Sequence, residues 1–168
     1  MLDISFSAPE DNSEFVKSAG EYRSLWKDEG EKITGTLEEL SGLRFISRNI
    51  DATISDRSFS HPLTLKGGGI INWERRLVLL IHELIHILFT DNEVKLPMEE
   101  EHRLELHKKI YLFQYEVVST LYGKDVAQRN ARDDTRNHPK LHGEAWNWAL
   151  SLSDKERKLY LDKYLRYS

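Results

Sequence analysis

The chain has no cysteine, which excludes a disulfide framework, a thiolate metal site and a cysteine nucleophile together. Any metal must therefore be held by His, Asp or Glu. There is no excess of positive charge: 24 Lys and Arg stand against 28 Asp and Glu, a formal charge of -4. That balance lacks the basic surplus behind non-specific nucleic-acid affinity and argues against a nucleic-acid partner. Long apolar runs are also missing. The longest, from Leu77 to Ile81, is five residues, and the wider stretch to Phe89 is interrupted by His82, Glu83 and His86, too short and too polar to cross a bilayer. The opening segment, MLDISFSAPEDNSEF, has no basic stretch followed by an apolar one, so no secretory signal is read there and a cytoplasmic, membrane-free protein is expected. Only four prolines are present, and no repeat, low-complexity tract or linker divides the chain.

What is present fits one folded domain over 1–168. Four Trp, seven Tyr and six Phe in 19.7 kDa supply enough bulky apolar surface to offset chain entropy. After a short segment ending at Pro9, apolar residues Phe15, Ala19, Tyr22, Trp26, Ile33, Leu37 and Leu40 recur at steps of three, four or seven. This predicts an amphipathic helix over 12–41, weakened at Gly30 and closed by Gly42. Residues 43–71 mix β-branched and aromatic residues with polar ones and predict a small sheet. Within it Gly67, Gly68 and Gly69 lack phosphate-loop spacing and read as a tight turn.

Asn72 then caps WERRLVLLIHELIHILF, a helix over 73–89 that is apolar on nearly all sides. Pro97 is placed to open another helix over 97–122, with Leu106, Ile110, Phe113, Val117 and Leu121 as its core face. Residues 124–140 are rich in charge and poor in apolar side chains, which predicts a solvated loop. Two helices over 141–166 finish the chain. The first carries Trp146 and Trp148, which cannot share a face, and the second starts at a capping box of Ser153 and Glu156. Helix, small sheet and then mostly helices define an α+β class.

The chemistry concentrates at His82-Glu83-Leu84-Ile85-His86. On a helix, residues four apart share a face, so both imidazoles can meet one Zn²⁺ at about 2.0 to 2.1 Å. Glu83 is rotated off that face but remains able to reach a water at the metal, the position of a general base. Three ionisable groups on an otherwise apolar helix are costly to bury without a compensating partner, and a metal is one such partner.

With this HExxH helix following a sheet, residues 43–122 resemble the zincin metallopeptidases, within which the chain is similar to the minigluzincins and to the SprT-like proteases. The resemblance implies a zincin-like fold: a small twisted sheet packed on a buried HExxH helix, an edge strand that binds substrate, further long helices, and a third metal ligand from downstream. The metzincin extension HExxHxxGxxH is absent, since Ile87 to Asn92 follow His86. Three protein ligands plus water are usual for catalytic zinc, and the candidates for the third lie on the 97–122 helix. His102 is favoured: it falls nearest the apolar face, and its distance from His86 is similar to that of the third histidine in SprT-like proteases. Glu105 is the alternative, at the HExxH-x18-E spacing of gluzincins. Glu116 follows, then Glu99, Glu101 and His107.

His138, His142, Tyr111, Tyr115 and Tyr122 are weaker candidates for stabilising an oxyanion; surface histidines and packed tyrosines are the simpler reading. By resemblance, then, the chain is expected to be a zinc-dependent peptidase with Glu83 as general base and His82, His86 and His102 as ligands, acting on a protein or peptide. The alternative is a zincin-fold binding or regulatory protein with bound zinc and weak or no catalysis.

Overall fold

The computed structural model describes residues 2–69, 71–94 and 102–166. They form β1 (Asp3–Ser7), α1 (Ser13–Ser41), β2 (Asn49–Ser55), β3 (Phe59–Ser60), β4 (Leu63–Lys66), α2 (Trp73–Asp91), α3 (Arg103–Tyr122), α4 (Lys124–Asn137), α5 (Leu141–Ser151) and α6 (Asp154–Arg166). The class is α+β, with a small mixed sheet in the order β1-β2-β4-β3. β1, β2 and β4 run parallel, and the two-residue β3 pairs antiparallel on the edge of β4.

Parallel neighbours need a crossover, and α1 supplies it between β1 and β2. β1 was not expected from the sequence, although Leu2, Ile4 and Phe6 alternate there and are buried as a half-buried strand requires. Asn12 caps α1 by accepting from the Phe15 N–H at 3.0 Å. Gly42, at φ 73°, closes the helix with its N–H on the Glu38 carbonyl. The helix does not break at Gly30. A Cβ there would lie 2.8 Å from the Trp26 indole, so the glycine makes room for the ring across the helix surface. Gly67 likewise permits close approach, since its Cβ would fall 2.0 Å from Ile54 Cγ2. The glycine segment is pinned to α1 by Ser18 Oγ donating to the Gly67 carbonyl and the Gly69 N–H donating to Glu14.

α2 is the central helix, with Leu77, Leu80, Ile81, Leu84, Ile85 and Leu88 essentially inaccessible. It packs against the β3 and β4 side of the sheet, α1 and α3. No helix of the described residues is long and apolar enough to cross a membrane. α3 is also buried on most sides: Tyr111, Leu112, Gln114, Tyr115 and Val118 are covered as well as the expected Leu106, Ile110, Phe113 and Val117. The start of this helix at Pro97 lies outside the described residues.

The predicted loop over 124–140 is corrected by the structure, because 124–137 are the helix α4. Its buried positions are Ala127, Asn130, Ala131 and Asp134, spaced three, four and seven apart like any helix face, yet small or polar. Hydropathy therefore misses it. The polar pair is satisfied: Asn130 Oδ1 accepts from Gln114 Nε2 at 3.3 Å, and Asp134 accepts from Trp146 Nε1 at 3.1 Å and pairs with Arg75 at 2.5 Å.

α5 packs on α3 and α4, with Trp146 fully buried and stacked on Tyr111 at 4.3 Å between centroids. Trp148, on another face, meets Tyr160 of α6 edge-on at 5.3 Å. The capping box forms as expected, with Ser153 and Glu156 bonded reciprocally. All these layers contribute to one cluster of buried apolar residues.

Candidate metal centre

His82 and His86 lie one turn apart on α2, and their Nε2 atoms face each other at 3.3 Å. The third side chain brought to them is His107 of α3: one ring nitrogen from each of the three histidines lies within 4.8 Å of the others. His102, the favoured third ligand, is instead the exposed residue preceding α3 and is not in this group. Five positions separate it from His107, so at about 100° per residue the two point roughly 140° apart on one helix. Glu105 is exposed and pairs with Lys108 at 2.6 Å, while Glu116 pairs with Arg157 at 3.0 Å. Glu99 and Glu101 lie outside the described residues.

Two of the imidazoles are held by acceptors on the far ring nitrogen. His82 Nδ1–H donates to Gln114 Oε1 at 2.8 Å, and the Gln114 amide is oriented in turn by donating to Asn130. His107 Nδ1–H donates to the Arg103 carbonyl at 2.8 Å, which can only accept. In a neutral ring this leaves Nε2 as a lone pair on both, the tautomer that ligates metal. Burial keeps the rings neutral. It lowers His82 to about 4, partly opposed by the Gln114 bond and helped by His107. It also lowers His86, with His82 and His107 adding to the effect. His107 is lowered by burial against the pull of the Arg103 carbonyl.

The donor set fits a divalent metal in kind, and in spacing for His82 and His86; the three nitrogens together span up to 4.8 Å, so the His107 ring must draw in to complete the coordination. A tetrahedral ion about 2.0 to 2.1 Å from two nitrogens separates them by about 3.3 to 3.4 Å, and His82 and His86 stand at 3.3 Å. Second-sphere acceptors of the usual kind, one amide and one backbone carbonyl, are in place.

Glu83 is buried, and burial raises its carboxyl to about 7. Among the described residues it forms no hydrogen bond or ion pair. It opens with His82 onto a cleft of about 630 Å³. One wall is the β2–β3 turn at Asp56, Arg57 and Ser58 with Lys66 at the end of β4; the other includes Tyr111, His138 and His142. Tyr111 is hydrogen-bonded to His142 Nδ1, and the His142 ring lies 4.8 Å from that of His107. Burial, followed by the neighbouring His107 and His82, lowers His142 to about 4, and burial raises the Tyr111 phenol. Both are neutral at pH 7, and the Tyr111 hydroxyl and His142 Nδ1 share one hydrogen bond, whose direction follows the His142 tautomer. Tyr115 is buried against Arg157 and Tyr122 bonds Glu29; neither lines the cleft.

His107 ranks low by sequence because it lies off the apolar stripe of Leu106, Ile110, Phe113 and Val117, and the helix is buried well beyond that stripe. One signal is usable: His107, Tyr111 and Gln114, spaced four and three, put three groups able to hydrogen-bond on one face of the helix. No family model matches this chain, and comparisons with curated proteins and with solved structures find no match.

Proposed function

We propose that the chain is a zinc-dependent peptidase of zincin type, with His82, His86 and His107 as metal ligands and Glu83 as general base. One observation carries this reading: His82, grouped with His86 and His107, opens onto a cleft together with Glu83, a carboxylate with no hydrogen-bond or ion-pair partner among the described residues. The sheet supports it too, since the antiparallel edge strand β3 sits on the α2 side, where an extended peptide can add by backbone pairing.

A bound zinc ion supplies Lewis acidity, bringing the pKa of a water toward neutrality and polarising a substrate carbonyl. Glu83 takes one proton from the attacking water as its oxygen bonds to the carbonyl carbon. It returns that proton to the departing amide nitrogen as the C–N bond breaks, giving a carboxylic acid and an amine, which exchange the remaining proton to leave as carboxylate and ammonium. A carboxyl that titrates near neutrality suits both transfers. His142, in the tautomer whose Nδ1 accepts from the Tyr111 hydroxyl, offers an Nε2–H at the same cleft for the oxyanion that develops.

The test pairs metal analysis with one substitution. Protein purified without chelators or metal columns is expected to contain one zinc per chain. Glu83→Gln is expected to keep the zinc and lose hydrolysis by about 10²- to 10⁴-fold. Failure to bind any divalent metal stoichiometrically overturns the proposal. A zinc-loaded native protein that cleaves no peptide favours the binding-protein alternative.

A further inference from the structure

Six acidic or basic side chains other than histidine and tyrosine line the cleft: Asp56, Arg57, Lys66, Arg75, Glu83 and Asp134. Arg75 is already engaged, bonded at 2.5 Å to Asp134, so this pair cancels. Asp56 is turned to its neighbour, with Oδ1 accepting from Ser55 Oγ at 3.1 Å. Arg57 and Lys66 differ: among the described residues neither side chain forms an ion pair or a hydrogen bond. Both are exposed, on one wall, at the edge where β3 begins.

The wall is fixed in place. The Lys66 N–H donates to Ser58 Oγ at 3.0 Å, tying the turn that carries Arg57 to the end of β4. The Gly67 N–H donates to the Ser55 carbonyl at 2.8 Å just beyond. Two cations on braced backbone thus share the cleft with Glu83 and with His82, whose imidazole adds no negative charge. Allowing for Asp56, this wall keeps one positive charge in excess in a chain that is acidic overall.

We infer that Arg57 and Lys66 form a carboxylate-recognition subsite, selecting peptides that present an acidic side chain or a free C-terminal carboxylate near the bond to be cut. The inference deepens the peptidase reading and rests on it. A guanidinium and an ammonium lining one cleft suit a carboxylate, the first through its planar fork and the second as a mobile point charge.

The test uses the full-length, zinc-loaded Glu83→Gln protein and three fluorescent peptides, read by anisotropy. One has internal glutamates and an amidated C-terminus, one is neutral with a free C-terminus, and one is neutral and amidated. One of the first two is expected to bind at least about fivefold more tightly than the third, with the preference shrinking as salt rises. Which of the two does so distinguishes side-chain from C-terminal recognition. Adding Arg57→Glu with Lys66→Glu should erase the preference at unchanged zinc content, and the Arg57→Gln, Lys66→Gln pair should reduce it if the reversal misfolds. Equal binding of all three peptides, or a preference surviving both pairs, overturns the inference. Hydrolysis by the native protein is scored separately. Carboxylate-dependent binding without any cleavage sinks the peptidase reading and leaves the subsite, whereas equal cleavage of acidic and neutral peptides sinks only the subsite.

Discussion

The Nε2 atoms of His82 and His86 face each other at 3.3 Å, a separation set by one helical turn, and the structure completes the group with His107 from α3. If all three ligate, His107→Ala should weaken zinc binding by more than the roughly 10- to 100-fold usual for loss of an outer partner. His102→Ala, at an exposed position outside the group, should leave affinity unchanged. Competitive titration against a chromophoric chelator measures both, and equal effects from the two substitutions would refute the assignment.

Gln114 is a positioning residue. It is 1% exposed and links His82 to Asn130. Gln114→Ala should lower zinc affinity about 10- to 100-fold. It should also cost about 1 to 3 kcal/mol of stability, since a buried amide partner is lost. Gln114→Glu retains an acceptor for His82 Nδ1–H and should restore binding; failure of that rescue would point to packing alone.

The neutral imidazoles make the metal-free fold sensitive to acid. Burial lowers His82 and His142 from 6.5 to about 4, and His86 and His107 are lowered as well. Between those values the unfolded chain takes up protons that the fold resists, so the contribution of these four rings is full above pH 6.5 and declines as pH falls toward 4, outweighing the single opposed shift of Glu83, raised from 4.5 to about 7. Thermal melts of metal-free protein across that window should show a falling midpoint, and a flat profile would contradict the burial of these rings.

Glu38 holds the segment that follows α1. Its carboxylate accepts from the Phe45 N–H at 3.1 Å and from Arg44 and Arg48 at 2.8 and 3.1 Å. Burial alone would raise its pKa, but these bonds bring it below the ordinary value. The stability it contributes is therefore present above the unfolded value of 4.5 and lost as pH falls below it. Both arginines are largely exposed, so the backbone bond matters more than the screened ion pairs. Glu38→Ala should cost about 1 to 3 kcal/mol in denaturant unfolding, whereas Arg44→Ala should cost less than about 1 kcal/mol.

The C-terminal segment is wall rather than lid. Trp146 is 1% exposed against Tyr111 and Asp134, so Trp146→Ala should cost about 3 to 5 kcal/mol. Deleting 138–168 should unfold the protein instead of releasing activity as a gating tail would. Circular dichroism of the truncated chain decides this, with retained cooperative melting as the contrary result.

Features that depend on one helix at a time are legible in the order of residues alone. Capping at Asn72, burial of α2 and the placement of His82, Glu83 and His86 around a single turn follow from local rules with a fixed angle per residue. So do the capping box before α6 and the glycine that ends α1. What passes between elements was left to the tertiary structure. Whether His102 or His107 meets α2 depends on how α3 is rotated against its neighbour, and a helix buried nearly all round has no apolar stripe to report that rotation. α4 escaped notice because its inner face is built of alanine, asparagine and aspartate, whose burial is repaid by partners distant in the chain. The unpaired Arg57 and Lys66 were equally invisible, since pairing is a property of neighbours that only packing brings together.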